Sequence, residues 1–495
     1  MTVDVTREQM KTYWSEHSAN SSSTTIETMM LDTNARTLHE LEIPEILEKA
    51  PSMVGKDVLE LAAGIGRYTG ILAQTAKSVT AVEFIQDFHD ANAKTNGHLG
   101  NITFLCQDVV HMEAEPNSFD VIFSNWIFMY LSDDEVKAFA QKAVKWLRPG
   151  GKLFFRESCF RQSGDVKRGI NPTNYRHPSF YVSAFGSVVS EEAAGGVGFL
   201  NLDSSSSVAV YRRVKKNNGQ VCFNYTKLCK EGDASAVATF QKFLDEQQYS
   251  NKSITRYEKI FGKGYVSTGG QSTTTEFVER LGLQQGERVL DVGCGIGGGD
   301  FYMARQFGVS VVGIDLSTNM VHRALETSMG DATTDVEFEI CDATARDFSP
   351  ESFDVVYSRD TILHIADKPA LFAKFFRWLK PGGRVLISDY CCGEQEQSDR
   401  FKAYVASRGY HLLSPSQYGK VLESVGFTDV VAEDRTEHFV DVLKEELERT
   451  LINKDEFVQE TSEEDFADIV DGWKAKLVRC GEGDQKWGLF IGKKQ

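Results

Sequence analysis

One signature stands twice in this chain. Val58-Leu-Glu-Leu-Ala-Ala-Gly-Ile-Gly66 returns as Val289-Leu-Asp-Val-Gly-Cys-Gly-Ile-Gly297. Each copy is followed by an apolar run closed by an acid, Val79-Thr-Ala-Val-Glu83 and Val311-Val-Gly-Ile-Asp315. Phe119-Asp-Val-Ile-Phe-Ser124 and Phe353-Asp-Val-Val-Tyr-Ser358 come next, then Trp146-Leu-Arg-Pro-Gly-Gly151 and Trp378-Leu-Lys-Pro-Gly-Gly383. Four matches in one order, at a nearly constant and domain-sized offset, far exceed the period of a solenoid repeat. The chain is a duplication of one catalytic-type domain.

The 495 residues are enough for two full cores, with 41% hydrophobic and 25% charged residues. A formal charge of −17 opposes a nonspecific grip on nucleic acid. Nine scattered cysteines, with Cys391-Cys392 the only tight pair, show no metal-knuckle or redox spacing. No apolar leader and no spanning stretch stands in the sequence. The expectations are a reduced, cytoplasmic protein, a monomer, with no nucleic-acid and no membrane partner.

Short apolar runs alternating with helical stretches predict a parallel sheet covered by helices. Strands are expected near 57–61, 79–83, 102–106, 119–123 and 152–157, and again near 288–292, 310–314, 336–340, 353–357 and 384–388. The Gly-, Ser- and Ala-rich segment 183–240 is expected to hold strands near 206–213 and 219–225 and then a linker. The domains are expected at 1–232 and 233–495. Cys391–Tyr410 is placed to form a lid over the second site, and the C-terminal segment reads as a final helix and strand.

Gly64 and Gly66, like Gly293 and Gly295, let backbone approach a ligand where a Cβ would collide. Glu60 and Asp291 end the first strand beside this loop, where a carboxylate repels a pyrophosphate and attracts a cationic amine. Glu83 and Asp315 suit a ribose diol, and Asp108 and Asp342 suit an adenine amino group. A ligand with an amine, a ribose and an adenine but no phosphate is S-adenosylmethionine, which leaves as S-adenosylhomocysteine. These recurring acids resemble those of the class I S-adenosylmethionine-dependent methyltransferases. That resemblance implies an α/β fold of two Rossmann-like domains, each a seven-stranded, mostly parallel sheet with helices on both faces and a lid insertion.

In the second copy Asp360 and His364 are four residues apart and share a face if they open a helix. Methylating an amine needs its lone pair, and a His–Asp pair supplies a general base near neutral pH. A histidine in a solvated cap is the plainer alternative. Aligned copies put Tyr130 opposite His364, Trp126 opposite Asp360 and Asn125 opposite Arg359. The first copy therefore lacks this base, and its aromatics either hold a cation or belong to the core. Tyr390, Tyr404, Arg408, Tyr410 and Lys476 form a candidate anion clamp. Arg161, Tyr175 and Arg176 offer an analogous stretch in the first copy.

Further blocks narrow the resemblance: Tyr13-Trp14, Phe154-Phe-Arg-Glu-Ser-Cys-Phe160, Ser267-Thr-Gly-Gly270, Arg359-Asp-Thr-Ile-Leu-His364, Asp389-Tyr-Cys391 and Asp471-Gly-Trp473. Together they resemble the phosphoethanolamine N-methyltransferases, and the tandem arrangement is similar to the bifunctional plant form. The resemblance implies Tyr249, His364 and Asp360 as catalytic residues. It adds Asn125, Val266, Ser267, Leu316, Ala343 and Arg359 to the cofactor set, and Gln248, Tyr257, Tyr13 and Tyr130 to the substrate set. It implies phosphobases as substrates, phosphoethanolamine through mono- and dimethyl forms to phosphocholine. The first methylation falls to the first domain and the later ones to the second, with no metal. The rivals are another anionic amine acceptor, or a chain in which one domain is catalytic and the other regulatory.

Overall fold

The computed structural model describes residue 9 and residues 12–16, 25–165, 173–192, 195–231, 239–331 and 333–495. The chain divides into two compact units, Met1–Thr239 and Phe240–Gln495. The expected boundary between residues 232 and 233 lies outside the described residues.

The first unit is built on β1 (Asp57–Leu61), β2 (Ser78–Glu83), β3 (Ile102–Cys106), β4 (Phe119–Asn125) and β5 (Leu147–Ser158), with β6 (Val189–Glu191), β7 (Val197–Ser207) and β8 (Gln220–Lys230) following. Its seven-stranded sheet runs β7-β8-β5-β4-β1-β2-β3, and β6 pairs with β7. The five strands from β5 to β3 are parallel; β8 pairs antiparallel with β5, and β7 with β8. Four consecutive residues of β1 are buried, as expected where both faces of a parallel sheet are covered.

The second unit repeats this plan with β9 (Arg288–Val292), β10 (Ser310–Asp315), β11 (Val336–Cys341), β12 (Phe353–Arg359), β13 (Leu379–Cys392), β14 (Thr428–Asp434) and β15 (Gln485–Lys493). The order is β14-β15-β13-β12-β9-β10-β11, parallel from β13 to β11, with β15 and β14 antiparallel. In both units strand order reverses beside the first strand. The crevice beyond the carboxyl ends of β1 and β4, or of β9 and β12, is where such sheets take ligands.

The strand expected near 206–213 is not formed. β7 ends at Ser207, and Ala209–Lys215 is a helix. The cause is tertiary: Glu45 accepts the N–H groups of Ala209 and Val210 at 2.6 and 2.9 Å. A carboxylate there satisfies free donors and complements the helix dipole, which overrides the strand preference of Val208–Tyr211. The two strands of this segment are instead Val197–Ser207 and Gln220–Lys230, and the linker expected after them falls largely outside the described residues. No helix among the described residues is long and apolar enough to cross a membrane.

Candidate functional site

The cofactor side is the same device built twice. Glu83 accepts the N–H of Gly64 at 2.8 Å and those of Phe84 and Ile85, both at 2.8 Å. Asp315 accepts from Gly295 at 3.0 Å and Ser317 at 2.8 Å. The strand-two acid thus ties the glycine loop to the turn after its own strand while keeping lone pairs for a ligand. Burial raises both carboxyls, Asp315 to about 6. Gly293 is obligatory here, because at φ 83° a Cβ would lie 2.1 Å from Thr361 Oγ1. On Gly295 a Cβ would meet Val266 at 2.8 Å, so Val266 closes over the loop. Gly66 turns at φ 83°.

Glu60 and Asp291 are almost fully buried, at 2% and 4% exposure. Glu60 Oε2 and Asp291 Oδ1 have no hydrogen-bond partner among the described residues. Burial pushes Glu60 up to about 8. Asp291 is also raised by burial and by Asp300 beside it; two buried carboxyls that close share a proton. Asp108 and Asp342 close turns on their own backbone, accepting from Val110 at 3.0 Å and Thr344 at 2.8 Å.

One cavity of the first unit is lined by Glu60, Glu83, Asp108, Asn125 and Tyr130. One of the second is lined by Gly293, Gly295, Asp315, Leu316, Asp342, Ala343, Val266, Ser267, Arg359, Asp360, His364 and Tyr249. Asp291 lines a smaller recess beside it with Ser267 and Arg359. Arg359 is itself fixed, donating to Thr274 Oγ1, Thr268 O and Thr273 Oγ1 at 2.6, 2.7 and 2.8 Å. In its equivalent place Asn125 Oδ1 accepts from Arg156 at 3.1 Å.

The condition for Asp360 and His364 to share a helix face is not met. Asp360 follows β12 in left-handed backbone at φ 49°, and Ile362–His364 is a single 3₁₀ turn. No hydrogen bond joins the two side chains among the described residues. Asp360 Oδ1 accepts from Trp487 Nε1 at 2.8 Å and Ser388 Oγ at 3.3 Å, and His364 Nδ1 is buried without a partner. Burial, followed by Lys368, drops His364 to about 4. Its ring is an unprotonated base at neutral pH.

Tyr249 reaches the site because Asp245 stitches its segment to the turn after β10. Asp245 accepts from Ser317 Oγ and Thr318 Oγ1, each at 2.7 Å, and Asn319 Nδ2 donates to Tyr249 O at 2.9 Å. The Gln248 amide nitrogen lies 3.0 Å from the Tyr249 hydroxyl and 3.5 Å from His364 Nε2. Gln248 therefore bridges these two groups. Burial raises the Tyr249 hydroxyl, which keeps its proton.

The clamp residues cluster as well. Tyr390 Oη is 3.1 Å from Thr268 Oγ1 and accepts from Lys476 Nζ at 3.5 Å. Lys476 lies 4.0 Å from the Trp473 ring centroid, and burial lowers it to about 8. Tyr404 stands 6.0 Å from Tyr410 and 5.9 Å from the exposed Arg408. Tyr257 is half-buried, raised by burial and lowered by the nearby Arg408.

Among the described residues the first unit shows no equivalent cluster. Arg176 donates to Asp133 Oδ1 at 2.7 Å, Phe128 O at 2.8 Å and Leu131 O at 2.5 Å. It fastens the 3₁₀ turn Phe128–Tyr130, with three of its five N–H donors spent on these partners. The second unit fastens its turn with Lys368, whose Nζ donates to Ile362 O, Ile365 O and His411 O at 2.8, 2.9 and 2.6 Å. Arg161 is exposed, and Tyr175 Oη accepts from Thr173 Oγ1 at 2.9 Å. Tyr13 packs edge-on against Trp14 at 5.3 Å, and Trp14 against Tyr130 at 5.5 Å.

Sequence reasoning missed several residues. Trp14, Met29 and Arg67 line the first cavity, and Phe240 lines the second with its ring 5.9 Å from His364. Glu42 is fully buried, paired with Arg67 and, at 2.9 Å, with Arg156. An acid at the apolar phase of helix Ala35–Lys49 is the one signal that would have singled out this network.

Residues 58–151 and 283–426 each match a family described as a methyltransferase domain. Phosphoethanolamine N-methyltransferase 1 of Arabidopsis thaliana is 51% identical over 490 residues, covering 99% of this chain and 98% of its own. The protein of the same name from Triticum aestivum is 52% identical over 495 residues, with the same coverage. Among solved structures, phosphoethanolamine N-methyltransferase 2 of Haemonchus contortus, in complex with phosphomonomethylethanolamine and S-adenosylhomocysteine, superposes with a TM-score of 0.75. It is 29% identical and covers 92% of this chain and 99% of its own.

Proposed function

Because the chain belongs to the phosphoethanolamine N-methyltransferases, we propose that it transfers methyl groups from S-adenosylmethionine to phosphoethanolamine, ending at phosphocholine. The observation that carries this reading is the end-to-end likeness of the whole tandem chain, 51% over 99% of its length. The residues present fit the cofactor in both units. Glu60 and Asp291 each offer a buried carboxyl oxygen without a partner, which suits an ammonium, and Gly293 leaves room that a Cβ would fill. When bound, S-adenosylmethionine supplies an electrophilic methyl group on a sulfonium.

This chain's residues then orient the acceptor and manage its proton. In the second unit Lys476, Tyr390, Arg408 and Tyr410 hold the phosphate, and Asp360 draws the ammonium to the end of β12. His364, neutral at working pH, takes the proton that frees the amine lone pair. Tyr249 and Gln248 set the position of that ring and cover the acceptor. A half-buried pocket also disfavours the charged ammonium, which eases its deprotonation. Much of the rate comes from holding the amine in line for transfer.

We further propose that the first unit takes the unmethylated amine and the second the methylated ones, since Tyr130 stands where the second unit has its base. A reducing compartment such as the cytoplasm suits nine free thiols. Incubation with methyl-labelled S-adenosylmethionine and phosphoethanolamine tests the reaction. Labelled phosphocholine is expected, and the absence of any labelled phosphobase overturns it.

A further inference from the structure

In both units the fourth parallel strand leads into left-handed backbone, at Trp126 with φ 66° and at Asp360 with φ 49°. The N–H of each donates to the neighbouring strand, to Arg156 O at 2.9 Å and to Ser388 O at 2.8 Å. On the next strand Gln220 faces Ser158, and Trp487 faces Tyr390. These are equivalent places, because Ser158 and Tyr390 stand equally far beyond the two acceptor carbonyls.

A side-chain hydrogen bond joins the facing positions in each unit, but its direction is reversed. Trp126 Nε1 donates to Gln220 Oε1 at 2.9 Å. Trp487 Nε1 donates to Asp360 Oδ1 at 2.8 Å. The indole and its acceptor have exchanged strands.

This exchange changes what an acceptor amine meets. Trp487 is fully buried, with Phe277 and Phe439 each 5.4 Å away, so its N–H has one direction to point. It holds one oxygen of Asp360 and leaves the other, Oδ2, buried without a partner among the described residues. The first unit has an indole in that place. The Arg156 guanidinium lies 3.8 Å from the Trp126 ring centroid and shares the Glu42 carboxylate, 2.9 Å away, with Arg67.

We infer that this exchanged pair, Asp360 with Trp487 against Trp126 with Gln220, decides which acceptor each unit takes, Trp487 and Gln220 acting as positioning residues. The inference rests on the reaction proposed above. Each methylation removes an N–H donor, and a dimethylated ammonium has only one. A fixed carboxylate oxygen pairs with the positive charge that remains as N–H donors are lost, and leaves the last N–H for His364. An ammonium beside Trp126 meets an indole where the second unit has its carboxylate, and relies on several N–H groups reaching polar neighbours, which methylation takes away.

The test uses the full-length protein with phosphoethanolamine and its mono- and dimethyl forms as separate acceptors. Trp487→Phe keeps an aromatic ring and removes the N–H. KM for the two methylated acceptors should rise about tenfold, with kcat changed by less than about twofold. The unmethylated acceptor and S-adenosylmethionine affinity, read by calorimetry, should be unaffected. Gln220→Leu should raise KM for the unmethylated acceptor alone. Trp487→His returns a ring N–H and should recover part of the loss; with Gln220→Leu it carries the test if the Phe variant does not fold. A purely structural role would depress all rates and the unfolding midpoint together. That result, or unchanged KM values in both variants, overturns the inference while leaving the reaction intact. A wild-type chain that methylates none of the three acceptors overturns the reaction itself.

Discussion

The imidazole of His364 lies edge-on against the ring of Tyr410, with centroids 5.2 Å apart. Tyr410 in turn stands against Tyr404, so the proposed base and phosphate clamp share a wall. Removing the Tyr410 hydroxyl and removing its ring should therefore have different effects. Tyr410→Phe should raise KM for the phosphobase about tenfold with kcat nearly kept. Tyr410→Ala should lower kcat as well, because His364 loses its packing. Steady-state kinetics on the monomethyl acceptor separate the two, and identical behaviour of both variants would count against a shared wall.

In the proposed clamp, Lys476 should set a pH limit on the alkaline side. Burial lowers its ammonium to about 8, so its charge is complete below that pH and is lost above it. KM for the phosphobase should rise as pH passes about 8, while affinity for S-adenosylmethionine stays level. Lys476→Arg, which keeps its charge, should flatten the rise. A KM independent of pH up to 9.5 would remove Lys476 from the clamp.

Cofactor binding should release protons. Glu60, raised to about 8 by burial, should be protonated at pH 7 in the free protein and should ionise when the proposed ammonium arrives. Calorimetry of S-adenosylmethionine binding in buffers of different ionisation enthalpy should report proton release near pH 7. Glu60→Gln should reduce it by up to about one proton. A binding enthalpy that does not depend on the buffer would contradict the pairing.

Arg176 should behave as a structural residue. Its guanidinium serves Asp133 and two carbonyls of the turn that carries Tyr130. Arg176→Met leaves those buried carbonyls unpaired and should cost about 2–4 kcal/mol in urea unfolding. The KM for phosphate-bearing acceptors should change little, and a large KM effect without loss of stability would restore it to the clamp.

How far the sequence could be read depended on whether a residue's partner lay within its own motif. The glycine loops, Glu83 and Asp315 sit in local strand–turn–helix units, so both their place and their contacts follow from spacing. Two strand endings follow for the same reason, since the apolar runs of β2 and β10 stop at Glu83 and Asp315. The misreadings all involve distant partners. Ala209–Lys215 is a helix because Glu45 caps it from another helix. Asp360 is drawn away from His364 by Trp487 on the last strand. Arg176 resembles an anion ligand in sequence, and only the folded turn shows three of its donors bound to Asp133, Phe128 and Leu131. Gln248 stands beside Tyr249 in the chain, yet its bridge to His364 depends on Asp245 anchoring that segment.

The account depends most on two similar cofactor sites serving different acceptors. Full-length His364→Ala supplied with S-adenosylmethionine and phosphoethanolamine, with every phosphobase quantified over time, tests this most directly. Loss of the base should slow the later steps by about 10²- to 10⁴-fold while the first proceeds, so phosphomonomethylethanolamine should accumulate. Simultaneous loss of all steps, or phosphocholine formed at the wild-type rate, would contradict it.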